Sequence, residues 1–180
     1  MIVTLTMNPA LDITTSADHV RPTDKIRCRA ARYDAGGGGI NVARVASVLG
    51  ASVSAVFPVG GPTGDLLTEL VGDADVPYRR VAISLPTRES FTVDEESSGQ
   101  QYRFVLPGPH LTPTEQAKCL DELQYAARSA AIVVASGSLH RAFHPTSISE
   151  LPTFVESLVC RWSWTPQAAA FSTSRPGCSS

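Results

Sequence analysis

Four consecutive glycines, Gly36 to Gly39, stand directly before an apolar helical run that ends at Gly50. Glycine allows positive φ and a close approach of the backbone, and a helix that follows aims its first N–H groups at an anion or a hydroxyl. A close-packed strand-to-helix turn without a ligand is the competing interpretation. Neither P-loop spacing nor a G-x-G-x-x-G fingerprint is present, so a nucleotide phosphate loop is not expected here.

Short β-rich runs alternate with helical runs along most of the chain. The β-rich runs cover 2–7, 52–59, 78–83 and 131–135, and helices are predicted at 40–49, 66–71 and from the Thr112–Glu115 capping box to about 129. This alternation predicts an α/β fold with a mostly parallel sheet, in which ligands gather at the carboxyl ends of the strands. The loop after the first strand is expected to carry Asp12.

The predicted helix 40–49 carries apolar residues over most of its circumference, which predicts that it is largely buried, with Gly50 as its C-terminal stop. Three further runs are predicted to be strands. Lys25–Tyr33 reads as an exposed strand, and Glu89–Glu95 with Gln101–Leu106 reads as a hairpin with one polar face. The exposed edge of the hairpin requires a cover.

Composition excludes several classes of function. A formal net charge of −2 gives no electrostatic basis for binding nucleic acid or an anionic membrane. The four cysteines and four histidines show no metal-ligand spacing, so the cysteines are expected to be reduced and the chain cytoplasmic. No apolar run approaches the roughly 20 residues of a membrane helix. A single domain with a small-molecule substrate is the better expectation.

Six segments in order resemble one protein family. They are TMNPALD, AGGGGINVARVASVLG, FPVGGPTGD, TRESFTV, QYRFVLPGP and VVASGSL, and together they span residues 1–139. In this order they resemble the ribokinase-like (PfkB) carbohydrate kinases. The resemblance implies a Rossmann-like αβα body with a small β-sheet lid, formed by strands at about 25–33 and 88–106. It also implies a homodimer that pairs through the lids.

The resemblance further implies a set of sugar-phosphate contacts, each with a plainer alternative. An aspartate would accept hydrogen bonds from sugar hydroxyls, two arginines and a lysine would hold the phosphate, and backbone N–H groups, an asparagine and a serine would line the sugar. These residues are Asp12, Arg88, Arg103, Lys25, Gly37, Gly38, Asn41 and Ser138. Each also has a plainer interpretation when taken singly. Asp12 would be a turn former, and Arg88 and Arg103 would be solvated strand arginines. Asn41 would mark a helix start, and Ser138 would belong to a Ser-Gly-Ser turn.

The activity implied is ATP-dependent phosphorylation of a sugar phosphate with magnesium, most readily fructose 6-phosphate to fructose 1,6-bisphosphate. Fructose 1-phosphate and tagatose 6-phosphate stay open as substrates. The family's D-T-x-G-A-G-D motif, which supplies the catalytic base and an anion hole, is absent from the 180 residues, as are the ATP-binding motifs. We therefore expect little or no turnover, and no residue is assigned as catalytic base.

The segment 140–180 differs in composition from the rest, since only Gly177 of the 13 glycines lies there. We predict that it is a non-family tail that is partly disordered. The run Ala168–Phe171 is what a shifted frame over glycine codons would give, which predicts a frameshift near codon 140. A short protein that binds a sugar phosphate or pairs through its lid, and an aggregation-prone α/β remnant, are the two non-catalytic alternatives.

Overall fold

The computed structural model describes residues 1–138. Within them, eight strands and three helices alternate along the chain. In order they are β1 Ile2–Leu5, β2 Ala10–Ala17, β3 Arg32–Gly36, α1 Gly38–Val48, β4 Val53–Val59, α2 Gly61–Asp73, β5 Tyr78–Ala82, β6 Arg88–Glu95, β7 Gln101–Val105, α3 Pro113–Ala127 and β8 Ile132–Ala135. The predicted tail 140–180 lies outside the described residues. No helix among residues 1–138 is long and apolar enough to cross a membrane.

The body is a parallel four-stranded sheet in the order β5-β4-β1-β8, and it is covered on both faces. Alternate residues of β4 point to opposite faces, so Val56 packs with Leu123 of α3 while Phe57 packs with Ile40 of α1 and Leu67 of α2. The predicted α/β fold with a mostly parallel body sheet is therefore confirmed. All four predicted body strands are present with slightly shorter bounds.

Helix α1 departs from the prediction on its outer side. Gly39, Ile40 and Ala43 are its buried residues, whereas Val48 is 86% exposed and Leu49 is 79% exposed. The prediction of burial over most of the circumference is wrong, because the helix packs on the body sheet through one face. Its predicted end is confirmed: the Gly50 N–H bonds the Ser47 carbonyl at 2.8 Å, and Gly50 has a φ of +82°.

The other helix starts follow local chemistry. Helix α2 begins at Gly61, five residues earlier than predicted, because Pro62 suits the first helical turn instead of breaking it. The capping box of α3 is confirmed, with the Thr112 hydroxyl accepting from the Glu115 N–H at 3.2 Å. Burial acts to raise the pKa of Glu115, but hydrogen bonds from Thr112 and Ser84 outweigh it and lower the pKa to about 2.

A second four-stranded sheet, ordered β3-β2-β6-β7, forms the lid. Its central strands β2 and β6 are parallel, and the outer pairs are antiparallel. The predicted hairpin is confirmed, but the predicted strand Lys25–Tyr33 is wrong, since β3 runs over Arg32–Gly36. Strand β2 was predicted as a loop. Its Thr- and Ser-rich sequence becomes a strand because it is paired on both sides, with β3 and with β6.

The connection between β2 and β3 is tied to the far end of the lid. The Glu95 carboxylate accepts from the Val20 N–H at 2.6 Å, and Arg29 forms ion pairs with Asp18 at 2.8 Å and Glu96 at 2.9 Å. The hydrogen bond from Arg29 lowers the pKa of Glu96 to about 2. These contacts fix the connection at the end of the lid that is remote from the body.

Candidate functional site

The register of the lid sheet collects polar side chains at the end where β2 leaves the body. Asp12 on β2 is paired with Asp34 on β3 and with Ser90 on β6. Residues in register share a face, so these three side chains lie in one row. Arg103 on β7 is paired with Thr92, which lies two residues beyond Ser90 on the same face. We call Asp12, Asp34, Ser90, Thr92 and Arg103 the polar lid face.

Asp12 is half-buried inside β2, which corrects the prediction that it lies in a loop. Its carboxylate packs against Gly36, where a Cβ atom would stand 2.2 Å from Oδ2. Burial raises its pKa above the ordinary value of 3.8, and Asp34 adds to that effect. The positive charges of Arg88 and Arg103 and a hydrogen bond from Ser90 act in the opposite direction. The positive charges of both arginines therefore act on the Asp12 carboxylate.

Arg88 starts β6 and is anchored at the junction of lid and body. Its Nη1 donates to the Leu106 carbonyl at 3.3 Å, and its Nη2 donates to the Asn8 carbonyl at 3.4 Å. Both contacts are long, so the guanidinium keeps donor capacity for an anion. Burial lowers the pKa of Arg88 below its ordinary value, while the charge of Asp12 opposes that shift. Arg103 is exposed on the neighbouring strand.

The glycine run fits both interpretations of it, as a close-packed strand-to-helix turn and as a helix start that can face a ligand. Cβ atoms would stand 2.4 Å from Ser136 Oγ at Gly38 and 2.6 Å from the Leu5 carbonyl oxygen at Gly39, so the turn is close-packed. Within the first turn of α1, the Gly39 N–H bonds Ser136 O at 3.2 Å and the Ile40 N–H bonds Thr6 Oγ1 at 3.0 Å. The first helical N–H, that of Gly38, has no intrahelical partner and is available to a ligand.

The remaining predicted residues lie in three places: at the start of α1, after β8 and on the β2–β3 connection. Gly37 caps α1 with a φ of +131°, and Asn41 is exposed in the first turn of that helix. Ser138 follows β8, and its hydroxyl oxygen accepts from Asn8 Nδ2 at 3.1 Å. Lys25 is exposed on the β2–β3 connection, which begins after Ala17, five residues along β2 from Asp12.

Four polar residues of the site were not predicted: Asn8, Asp34, Ser90 and Thr92. Asn8 lies three residues after β1 in the same segment as Asp12, and its place beyond the carboxyl end of a buried strand is a signal that could have identified it. Asp34 and Ser90 become neighbours of Asp12 only through strand register. No local pattern in the sequence specifies that register.

Within residues 1–138, no group of three or more His, Cys, Asp or Glu side chains that could hold a metal ion occurs. The sequence contains no glycine-rich loop with P-loop spacing. The carboxylate, guanidinium and backbone N–H groups described above can recognise an anionic, hydroxyl-rich ligand.

Residues 5–159 match the sequence model of the pfkB family carbohydrate kinase. The chain belongs to the pfkB family. Among curated relatives, the ATP-dependent 6-phosphofructokinase isozyme 2 of Mycobacterium tuberculosis is 67% identical over 138 residues, which are 77% of this chain and 41% of that protein. The isozyme 2 of Escherichia coli is 46% identical over the same length, or 44% of that protein. The chain thus spans less than half the length of these pfkB relatives.

Solved structures confirm the ribokinase-like fold expected of the pfkB family. Phosphofructokinase-2 from Escherichia coli in complex with fructose 6-phosphate superposes with a TM-score of 0.81 at 39% identity, covering 87% of this chain and 52% of that one. A possible 1-phosphofructokinase from Thermotoga maritima gives a TM-score of 0.78 at 25% identity, again covering 87% of this chain and 50% of that one.

Asp12 leads to a prediction about stability and pH. Its folded-state pKa is raised, so ionising it disfavours the folded state once the pH exceeds 3.8, and the effect is complete above the folded-state pKa. We expect Asp12→Asn to raise the melting temperature at pH 7 and to leave it unchanged at pH 3. Thermal unfolding of both proteins between pH 3 and pH 8 measures the difference.

A matched control is Asp94→Asn, at the far end of β6, where the carboxylate accepts from Gln101 Nε2 at 2.8 Å. This variant removes a carboxylate from the same face without touching the Asp12 group. A melting temperature of Asp12→Asn below that of the wild type at pH 7 would contradict the prediction.

Proposed function

We propose that this chain provides the sugar-phosphate-binding part of an ATP-dependent 6-phosphofructokinase, with fructose 6-phosphate as its ligand. The observation that carries the proposal is that one carboxylate, Asp12, shares the lid sheet with Arg88 and Arg103, whose charges both act on its pKa. A carboxylate accepts from hydroxyls, and guanidinium groups bind phosphate in a forked geometry. Hydroxyls and a phosphate on one small molecule match that pair of functions.

Each residue then has a defined part in holding the sugar phosphate. Asp12 accepts from the sugar hydroxyls, and Arg88 and Arg103 bind the phosphate already present. The Gly37 and Gly38 N–H groups donate to the sugar from the start of α1. Asn41 and Ser138 add side-chain contacts from the body. Lys25 is assigned to the phosphate on the family resemblance alone.

The reaction proposed for the lineage transfers the γ-phosphoryl group of ATP to the C1 hydroxyl of fructose 6-phosphate. The P–O bond to ADP breaks, the P–O bond to the sugar forms, and the hydroxyl proton passes to a base. ATP and magnesium are proposed as cofactors through the family. Because the family motif that supplies the catalytic base is absent from the 180 residues, we propose that the chain alone binds the sugar phosphate with little or no turnover.

A second copy of the chain is the proposed partner of the lid. Across all four strands, Tyr33, Ile13, Phe91 and Phe104 stand in register on the face opposite the polar lid face. Tyr33 is 45% exposed and Phe104 is 55% exposed. An exposed apolar row of this kind marks an interaction surface, and homo-oligomers of two-fold symmetry bury the same patch on both subunits. A structure of the Escherichia coli phosphofructokinase-2 is described as a tetrameric inhibited form.

A cytoplasmic location is part of the proposal, as expected for an enzyme of sugar phosphates. Nucleic acid and membrane surfaces are not proposed as partners, since the net charge of −2 supplies no attraction to either.

Thermal unfolding with added sugar phosphates tests the proposed function. A ligand that binds only the folded state stabilises it by RT ln(1 + [L]/Kd), which is about 2.7 kcal/mol at one hundred times the Kd. Fructose 6-phosphate should raise the melting temperature, and fructose without phosphate should not. Fructose 1-phosphate and tagatose 6-phosphate, run in parallel, test the alternative substrates.

An assay of ADP release with ATP, magnesium and fructose 6-phosphate completes the test. Protection without ADP release supports sugar-phosphate binding without turnover. The absence of protection by every sugar phosphate would refute the proposed site.

A further inference from the structure

Asn8 connects three segments of the site. Its side-chain Nδ2 donates to Ser138 Oγ at 3.1 Å, across 130 residues of sequence, and its backbone carbonyl accepts from Arg88 Nη2. Its Oδ1 packs against Gly108, where a Cβ would stand 2.0 Å away. The residue therefore lies where the end of β1, the start of β6 and the loop after β8 meet.

The junction is also incompletely paired. Asn8 Oδ1 and Arg88 Nε are buried side-chain atoms with no hydrogen-bond partner within the described residues. Buried polar atoms are nearly always paired, and exceptions concentrate at functional sites. Asn8 Oδ1, next to the body strand β1, is an acceptor, and Arg88 Nε, on the lid strand β6, is a donor. Polar atoms without a partner in this part of the chain therefore lie on both sides of the lid–body boundary.

The direction of the hydrogen bond to Ser138 has a chemical consequence. A serine hydroxyl has one proton and two lone pairs, and the Asn8 amide donates to one of the lone pairs. The hydroxyl proton is thereby directed to a different acceptor. Ser138 is exposed, and the preceding residue, Gly137, lies beside the Gly38 N–H, with the Cβ position of Gly137 3.5 Å from Gly38 N. The loop that carries Ser138 therefore lies beside the start of α1, where the Gly38 N–H is a second donor.

We infer that Asn8 is a positioning residue, which holds the Ser138 hydroxyl so that its proton is donated to a bound sugar phosphate. The inference rests on the proposed function, and it adds a residue that does not itself contact the ligand. An asparagine is required in this role because its amide can donate to the serine oxygen. An aspartate of the same shape would instead accept the serine proton and withdraw it from the ligand.

A double-mutant cycle in the full chain tests the inference, with the Kd for fructose 6-phosphate measured by titration calorimetry. We expect Asn8→Ala and Ser138→Ala each to weaken binding by roughly three- to tenfold, the range of a neutral hydrogen bond. We expect the double variant to bind as Ser138→Ala does, within about twofold, because Asn8 acts through Ser138.

Two further variants keep the test independent of folding. Asn8→Asp preserves the shape of the side chain and should weaken binding more than Asn8→Ala does. The matched control is Gln116→Glu, the same amide-to-acid change on α3, where Gln116 Nε2 donates to the Leu111 carbonyl at 2.9 Å. This control should bind as the wild type does, and the melting temperature of each unliganded variant monitors the fold.

The outcomes separate this inference from the proposed function. Additive losses in the double variant would overturn it, because Asn8 would then act independently of Ser138. Wild-type affinity of Asn8→Asp would also overturn it, since Asn8 would then be an acceptor. A wild-type chain that binds no sugar phosphate would refute the proposed function itself, and the inference with it. A non-additive cycle together with impaired Asn8→Asp would support it.

Discussion

Arg103→Ala should abolish the protection that fructose 6-phosphate gives against thermal unfolding. The guanidinium lies on the polar lid face, where its charge acts on Asp12. A hydrogen bond to a charged group contributes about 1.5–3 kcal/mol, so the variant should bind roughly ten- to a hundredfold more weakly. Because Arg103 is exposed, its loss should change the unliganded stability by no more than about 0.5 kcal/mol.

The matched control for Arg103 is Arg80→Ala. Arg80 is an exposed strand arginine of the body, and its Nη1 lies 3.4 Å from the Asp65 carboxylate. This variant removes the same positive charge away from the lid and should retain the ligand-induced rise in melting temperature. Equal loss of protection in both variants would show that net charge, and not the polar lid face, determines binding.

Gly39→Ala should destabilise the fold by about 1–3 kcal/mol, the usual cost of added volume in a packed interior. The new Cβ would stand 2.6 Å from both the Leu5 carbonyl oxygen and Thr6 Oγ1. Thr6 Oγ1 also accepts from the Ile40 N–H, so the added carbon disturbs the start of α1 as well. Urea unfolding at equilibrium measures the change.

Gly72→Ala is the matched control for Gly39→Ala, since it makes the same change inside another helix, α2. The nearest atom to its Cβ position is Tyr78 Cε1 at 3.8 Å, an ordinary contact. Alanine at a position without strain stabilises a protein by about 0.4–1 kcal/mol, so this variant should unfold at a higher urea concentration. If both variants shift the midpoint in the same direction, the close packing at Gly39 is not the cause.

The body of this protein could be predicted from the sequence because its signals are local. The apolar run of β8 forms a strand of the sheet, although only its Val133 is fully buried, and the Thr112 capping box lies within four residues. The start of α2 was predicted at residue 66, although the helix begins at Gly61. The Gly-Gly-Pro sequence was interpreted as a helix-breaking turn, but proline is favoured in the first turn of a helix. The exposed side of α1 depends on whether another layer covers it, which periodicity does not specify.

The lid and the site were less predictable for a different reason. Strand β2 has the sequence of a polar loop, and its conformation depends on two partner strands that are distant in sequence. Asp12, Arg88 and Arg103 were grouped through the family resemblance, and the charges of both arginines act on the pKa of Asp12. Asp34 and Ser90 required the register. The roles of all these residues, and that of Lys25, stay predictions.

The position of β1 in the middle of the body sheet affects how the protein is made. Its neighbours are β4 and β8, which pairs Ile2 with Val53 and with Ile132. Because synthesis proceeds toward the C-terminus, β1 is made before β4 and β8, and both of its edges are paired only once β8 is available. Contacts so distant in sequence slow folding and leave strand edges exposed to other nascent chains. Co-translational protection by chaperones should consequently matter more for this protein than for one of similar size with neighbouring strands paired in sequence.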